Sequence, residues 1–61
     1  MRWREGSGGP FLRTTFGRLV ARVNFTGSTW RGTIWTKRGS SSMTHYTLSE
    51  AMTWCEMELG R

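Results

Sequence analysis

The stretch RLVARVNF, residues 18–25, alternates side chains with a period of two, the pattern of a half-buried strand. Leu19, Ala21, Val23 and Phe25 share one face, and Arg18, Val20, Arg22 and Asn24 share the other. Next comes Thr26-Gly27-Ser28-Thr29, in which Gly-Ser suits a two-residue type II′ hairpin turn because glycine tolerates the positive φ at its first central position. Folding the chain there fixes a register in which paired residue numbers sum to 55. Phe25 then faces Trp30, Val23 faces Gly32, Ala21 faces Ile34 and Leu19 faces Thr36 on the core side. The opposite side pairs Asn24 with Arg31, Arg22 with Thr33, Val20 with Trp35 and Arg18 with Lys37. A loop that takes in Thr26 and Thr29 keeps the same pairs, so the facing of every side chain survives an error in the turn.

The apolar face of that hairpin needs a cover, and the C-terminal segment supplies one. Thr47 with Glu50 forms the S/T-x-x-E capping box that opens a helix. Leu48, Ala51, Met52, Cys55 and Leu59 follow at helical spacing, and Gly60 marks the stop. The helix is expected over 48–59. FLRTTF (11–16) reads as a first strand ended by Gly17, GSSS (39–42) as a mobile loop, and MTHYT (43–47) as a short edge strand. EGSGGP (5–10) reads as a flexible stretch that sets an N-terminal arm, residues 1–10, apart from a single small domain, residues 11–61. Trp3 is expected to fold back onto that domain, since a free tryptophan leaves a large apolar area in water. The expected fold class is α+β, a three- to four-stranded antiparallel β-meander with one C-terminal α-helix packed on one face.

Such a domain has little to spare. Sixty-one residues lie near the lower limit for a self-sufficient core, and the single cysteine, Cys55, excludes both a disulfide framework and a CxxC metal site. Packed aromatics or a partner chain must carry the stability, and four tryptophans make the first feasible. No apolar run approaches the roughly 20 residues that span a bilayer, so no membrane segment is expected. No apolar h-region follows the basic N-terminus, and the expected compartment is the cytoplasm. The sequon Asn24-Phe25-Thr26 is then accidental.

Charge placement says more than charge total. Between Gly6 and Ser49 stand Arg13, Arg18, Arg22, Arg31, Lys37 and Arg38 with no acid, whereas Glu50, Glu56 and Glu58 crowd the last twelve residues. A net charge of +5 on so small a surface draws nucleic acid, anionic lipid or an acidic protein patch. With the helix covering one side of the hairpin, the other presents Arg18, Arg22, Arg31 and Lys37 around Val20 and Trp35. Arginines grip phosphates in a bidentate fashion, and an indole offers a flat face for a base. A two-stranded ribbon is also narrow enough to enter the DNA major groove. The expected function is therefore a small non-enzymatic module that binds nucleic acid, or another polyanion, through this face.

A second surface comes from Trp54 and Met57, which lie roughly 240° and 180° from Leu48 at 3.6 residues per turn, away from the apolar stripe. They suggest a protein interface, and a homodimer through that helix face would help so small a domain. The competing expectation for Trp54 is burial beneath Trp3 or the first strand. No enzyme is expected: Asp is absent, His45 and Cys55 have no recognisable catalytic setting, and the glycines do not form a phosphate loop. No cofactor is expected either.

The order of basic hairpin, short strand and TLSEA helix, about residues 15–59, resembles the plant-type AP2 DNA-binding domain. The resemblance implies a three-stranded sheet in the major groove with a helix behind it, and makes Arg18, Arg22, Arg31 and Trp35 the groove-facing set by position. The whole chain also resembles small bacterial and phage proteins with an N-terminal Arg-Trp, a β-meander and a closing Ser-Glu-Ala helix. That likeness implies, as the alternative, a protein-binding inhibitor of host machinery or defence, of the anti-CRISPR kind.

Overall fold

The computed structural model describes residues 3–14 and 16–60. It is a four-stranded antiparallel sheet in sequence order, β1 (Phe11–Arg13), β2 (Leu19–Phe25), β3 (Trp30–Thr36) and β4 (Gly39–His45), with one helix, α1 (Leu48–Leu59), packed on one face. The α+β meander expected from the sequence is the fold.

The central hairpin has the expected register, with Phe25 opposite Trp30, Asn24 opposite Arg31, Val23 opposite Gly32, Arg22 opposite Thr33 and Ala21 opposite Ile34. Thr26 N–H donates to the Thr29 carbonyl at 2.7 Å, and the two hydroxyls lie 2.6 Å apart, which ties the loop ends together. Gly27 carries the positive φ, 108°, that the turn requires. The ladder stops at Ala21, so the expected pairs Val20–Trp35, Leu19–Thr36 and Arg18–Lys37 lie beyond it. On the other flank of β2, Leu12 pairs with Ala21 but Arg13 pairs with Leu19, which leaves Val20 as an extra, bulged residue. A bulge re-aims its side chain. Val20, expected on the outer face, is only 8% exposed and belongs to the core.

One loop and one strand expectation are corrected. GSSS is strand, because Lys37 and Arg38 form a tight turn with Gly39 at φ 121°, and β4 pairs with β3 over seven positions from Thr36–Gly39 to Trp30–His45. Serine favours loops only when the backbone lacks partners, and here β3 supplies them. The first strand is shorter than expected and ends at Arg13. Thr14 N–H bonds the Arg18 carbonyl, Gly17 N–H bonds the Thr14 carbonyl, and the chain turns there. Thr15 of that expected strand lies outside the described residues, as does Arg2 of the Arg-Trp opening.

EGSGGP is not a loose tether. Arg4 and Phe11 exchange both backbone hydrogen bonds at 2.9 Å, Gly9 N–H closes onto the Gly6 carbonyl at 3.0 Å, and Val23 N–H reaches the Pro10 carbonyl. Gly9, at φ 116°, rests against Val23, where a Cβ would collide with the carbonyl oxygen. The glycines thus let a hairpin close against the sheet. Trp3 is half-buried against the core, as its apolar area demands.

The helix begins and ends where the sequence places it. Glu50 N–H donates to Thr47 Oγ1 at 3.1 Å, and the Thr47 hydroxyl donates to Glu50 Oε1 at 2.9 Å. Gly60 ends the helix in a right-handed conformation, φ −83°, with its N–H on the Glu56 carbonyl, so its freedom for positive φ is unused. Ala51 and Cys55 are fully buried with Leu12, Ala21, Val23 and Ile34, while Leu48, Met52 and Leu59 pack at the margin. Gly32 decides how close the layers come. A Cβ there would lie 3.0 Å from Cys55 Sγ, 3.2 Å from Trp54 Cε3 and 3.3 Å from the Ala51 carbonyl oxygen.

Candidate functional site

Antiparallel pairing places residues of one face in rows across the strands. The face away from the helix has one long row, Arg4, Phe11, Arg22, Thr33 and Ser42. Beside it run Asn24, Arg31 and Thr44, and, toward the other end, Trp35 and Ser40. None of the four strands contains an acidic residue. Glu50, Glu56 and Glu58 all lie on α1, in the other layer.

The sheet brings together three of the five residues expected to form a binding surface. Arg22, Arg31 and Trp35 share the outer face, with Arg31 exposed and Trp35 half-buried. Arg18 and Lys37 are exposed but lie in the connections before β2 and after β3, at the end of the sheet nearest Trp35. They flank the face instead of pairing across it.

Arg22 is less free than its position in an exposed row suggests. The Gly-rich hairpin crosses it: a Cβ on Gly8 would lie 3.8 Å from Arg22 Cζ, and Asn24 Nδ2 donates to the Gly8 carbonyl at 2.9 Å. Arg22 is half-buried, and its Nε is buried without a hydrogen-bond partner. An unpaired buried donor costs about 1–3 kcal/mol.

Three side chains of this face escaped the sequence reading. Arg4 enters it through the backbone bridge to Phe11, and Phe11 brings a half-buried ring. Arg13 lays its guanidinium over that ring at 5.4 Å from the centroid and donates from Nη1 to the Gly17 carbonyl at 2.8 Å. The signal was the turn-forming SGGP between Arg4 and Phe11, which brackets a hairpin as readily as it loosens a tether.

The second expected surface is partly closed. Trp54 is half-buried against the core, beside Gly32 and with its ring 5.7 Å from that of His45. Its neighbours on the sheet are Gly32 of β3 and His45 of β4. Met57 stays 61% exposed, and an open groove runs between His45, Ser49, Glu50, Thr53, Trp54 and Met57. Cys55 lies under β3, and burial, reinforced by the Glu56 charge and opposed by the Thr33 backbone, pushes its thiol up to about 11. It is a protonated, small apolar group at neutral pH.

Among the described residues no three of His, Cys, Asp and Glu are grouped to hold a metal ion, and no helix is long and apolar enough to cross a membrane. No family model, no curated protein and no solved structure matches the chain.

Proposed function

We propose that the chain is a non-enzymatic module that takes nucleic acid on the sheet face opposite α1. The observation that carries this reading is segregation: Arg22 and Arg31 share a face with Phe11 and Trp35 on strands without one acid, Arg4 joins them from the bridged segment that also holds Glu5, and the three helical acids occupy the other layer. Phosphates meet guanidinium groups there, and bases meet two rings.

Width favours a single strand over a duplex. A row from Arg4 to Ser42 spans four inter-strand spacings, about 19 Å at 4.8 Å each. The B-DNA major groove is about 12 Å wide, so the sheet cannot sink into it as a narrower ribbon would. An extended strand lying across the face makes both kinds of contact without that constraint.

The test is fluorescence anisotropy with mixed-sequence single-stranded DNA, single-stranded RNA and duplex DNA, titrated over about 50–200 mM salt. Binding should favour the single strands, and log K should fall with log salt at a slope near −2 for about three phosphate contacts. Replacing Arg22 and Arg31 together by alanine should lower affinity for every sequence and flatten that slope. Absence of binding at low salt, or an unaffected double variant, refutes the reading. An acidic partner protein is the alternative occupant, as an inhibitor of host machinery would require. A stoichiometric partner retained from nuclease-treated lysate, lost in the same double variant, would replace the first reading.

A further inference from the structure

The two edges of the sheet are guarded very differently. The β1 edge is three residues long, follows Pro10, carries Arg13, borders a bulge, and is capped by the Arg4 bridge. These are devices by which sheets avoid edge-to-edge pairing. The β4 edge has none of them. It is seven residues long, GSSSMTH, without proline, Lys, Arg or acid, and its register with β3 is unbroken.

The backbone pattern shows which groups that edge offers. The Thr26 N–H to Thr29 carbonyl bond makes Thr26–Thr29 a hydrogen-bonded pair. Antiparallel pairs alternate between bonded and non-bonded, so Arg31 and Thr33 direct their amides to β2, and Gly32 and Ile34 direct theirs to β4. Ser40, Ser42 and Thr44 therefore turn their N–H and C=O groups away from β3, toward the open side.

We infer that this edge pairs with β4 of a second copy, antiparallel about a two-fold axis at Ser42, to give a continuous eight-stranded sheet. Charge selects that occupant and that direction. One end of β4 follows the cationic Lys37–Arg38 turn, and the other leads into Thr47 and the Glu50 carboxylate at the start of α1. Antiparallel pairing sets Gly39 of each copy opposite His45 of the other, which brings the basic turn beside the partner's Glu50 twice over. Between those ends the strand is uncharged, so two chains of net charge +5 meet where repulsion is least. The same operation keeps both helices on one face, apposes the 51% exposed Met43 and the Trp54–Met57 groove to their symmetry mates, and leaves the arginine face unbroken on the other. The inference does not depend on nucleic-acid binding.

Sedimentation equilibrium of the purified chain at about 100 μM, well above a micromolar Kd, should give twice the 7.0 kDa chain mass. Ser42→Pro removes an outward N–H without touching the β3 ladder, and Ser42→Lys places like charges opposite each other on the axis. Both variants should sediment at half the wild-type mass while keeping the wild-type circular dichroism spectrum, and Arg22→Ala/Arg31→Ala should remain dimeric. A wild-type monomer overturns the inference. So does a dimer that persists in a folded Ser42→Lys, or an open series of higher oligomers, since a two-fold pairing closes. Loss of oligonucleotide binding in the arginine variant with the dimer intact separates this inference from the function proposed above.

Discussion

Gly32→Ala should destabilise the protein although alanine is the better strand residue. Gly32 does not have a positive φ, so the backbone accepts alanine, and the lost freedom of the unfolded chain alone would favour the variant by about 0.4–1 kcal/mol. Against that stands the helix. The new methyl would sit 3.0 Å from Cys55 Sγ, 3.2 Å from Trp54 Cε3 and 3.3 Å from the Ala51 carbonyl oxygen, three atoms on two turns of α1. Ordinary contact needs about 3.5–4.0 Å, so α1 must lift by several tenths of an ångström. Ala51 and Cys55, both fully buried, would loosen with it. Overpacking of this kind costs about 1–3 kcal/mol, which leaves a net loss near 1–2 kcal/mol after the entropic gain.

For a domain of this size the total stability is about 3–9 kcal/mol, and the melting point should fall by roughly 5–15 °C. Thermal unfolding followed by far-ultraviolet circular dichroism measures it. Cys55→Ala removes the nearest atom and costs about 1 kcal/mol for the cavity it leaves. In the double variant the methyl occupies part of that space, so the two losses should sum to less than their separate values by about 0.5–1 kcal/mol. A Gly32→Ala protein as stable as the wild type, or strictly additive losses, would refute the claim that the β3–α1 distance is set by the missing Cβ.

Two further outcomes follow from the helix. The Cys55 thiol is raised from 9.0 to about 11, so the folded chain holds its proton where the unfolded chain gives it up. Stability from this group is full below pH 9.0 and declines as pH rises toward about 11, by on the order of 2–3 kcal/mol. Urea titrations at pH 8, 9 and 10.5 should show that decline in the wild type and lose it in Cys55→Ala. Thr47→Ala deletes both hydrogen bonds that the Thr47 hydroxyl makes with Glu50 and should cost about 1 kcal/mol by the same assay, whereas Thr47→Ser should retain most of it.

What the sequence disclosed follows from how local each signal is. The β2–β3 register rests on a period of two and one glycine turn, and the helix rests on a cap within four residues and a stripe, so both were legible. Of β4 only the Met43–His45 end was legible, as an edge strand, because Gly39–Ser42 has no apolar alternation of its own. It is strand only because β3 has free amides on that side. Trp54, expected either in a protein interface or buried, is half-buried for a related reason. A helical wheel treats the facing surface as flat, whereas Gly32 leaves a depression in β3 that draws the Ala51–Trp54 side of α1 inward. Arg22 and Arg31 stand in the ladder where the alternation places them, whereas Arg18 and Lys37 fall beyond its end.

The layered arrangement also determines how much the acidic helix can weaken the arginine face. Packed layers stand on the order of 10 Å apart, and side chains on opposite sides of the assembly reach away from each other. The Debye length at physiological ionic strength is about 8 Å, so an exposed cation on the far side of the sheet is largely screened from Glu50, Glu56 and Glu58. The local field at the outer face is therefore set by Arg4, Arg13, Arg22 and Arg31, by the flanking Arg18 and Lys37 and by Glu5 beside Arg4, not by the net charge of the molecule. Had the same three acids been distributed among the strands, the composition and the net charge would be unchanged. Each would then stand one or two residues from an arginine, well within the screening length, and the face would offer ion pairs instead of unspent guanidinium groups.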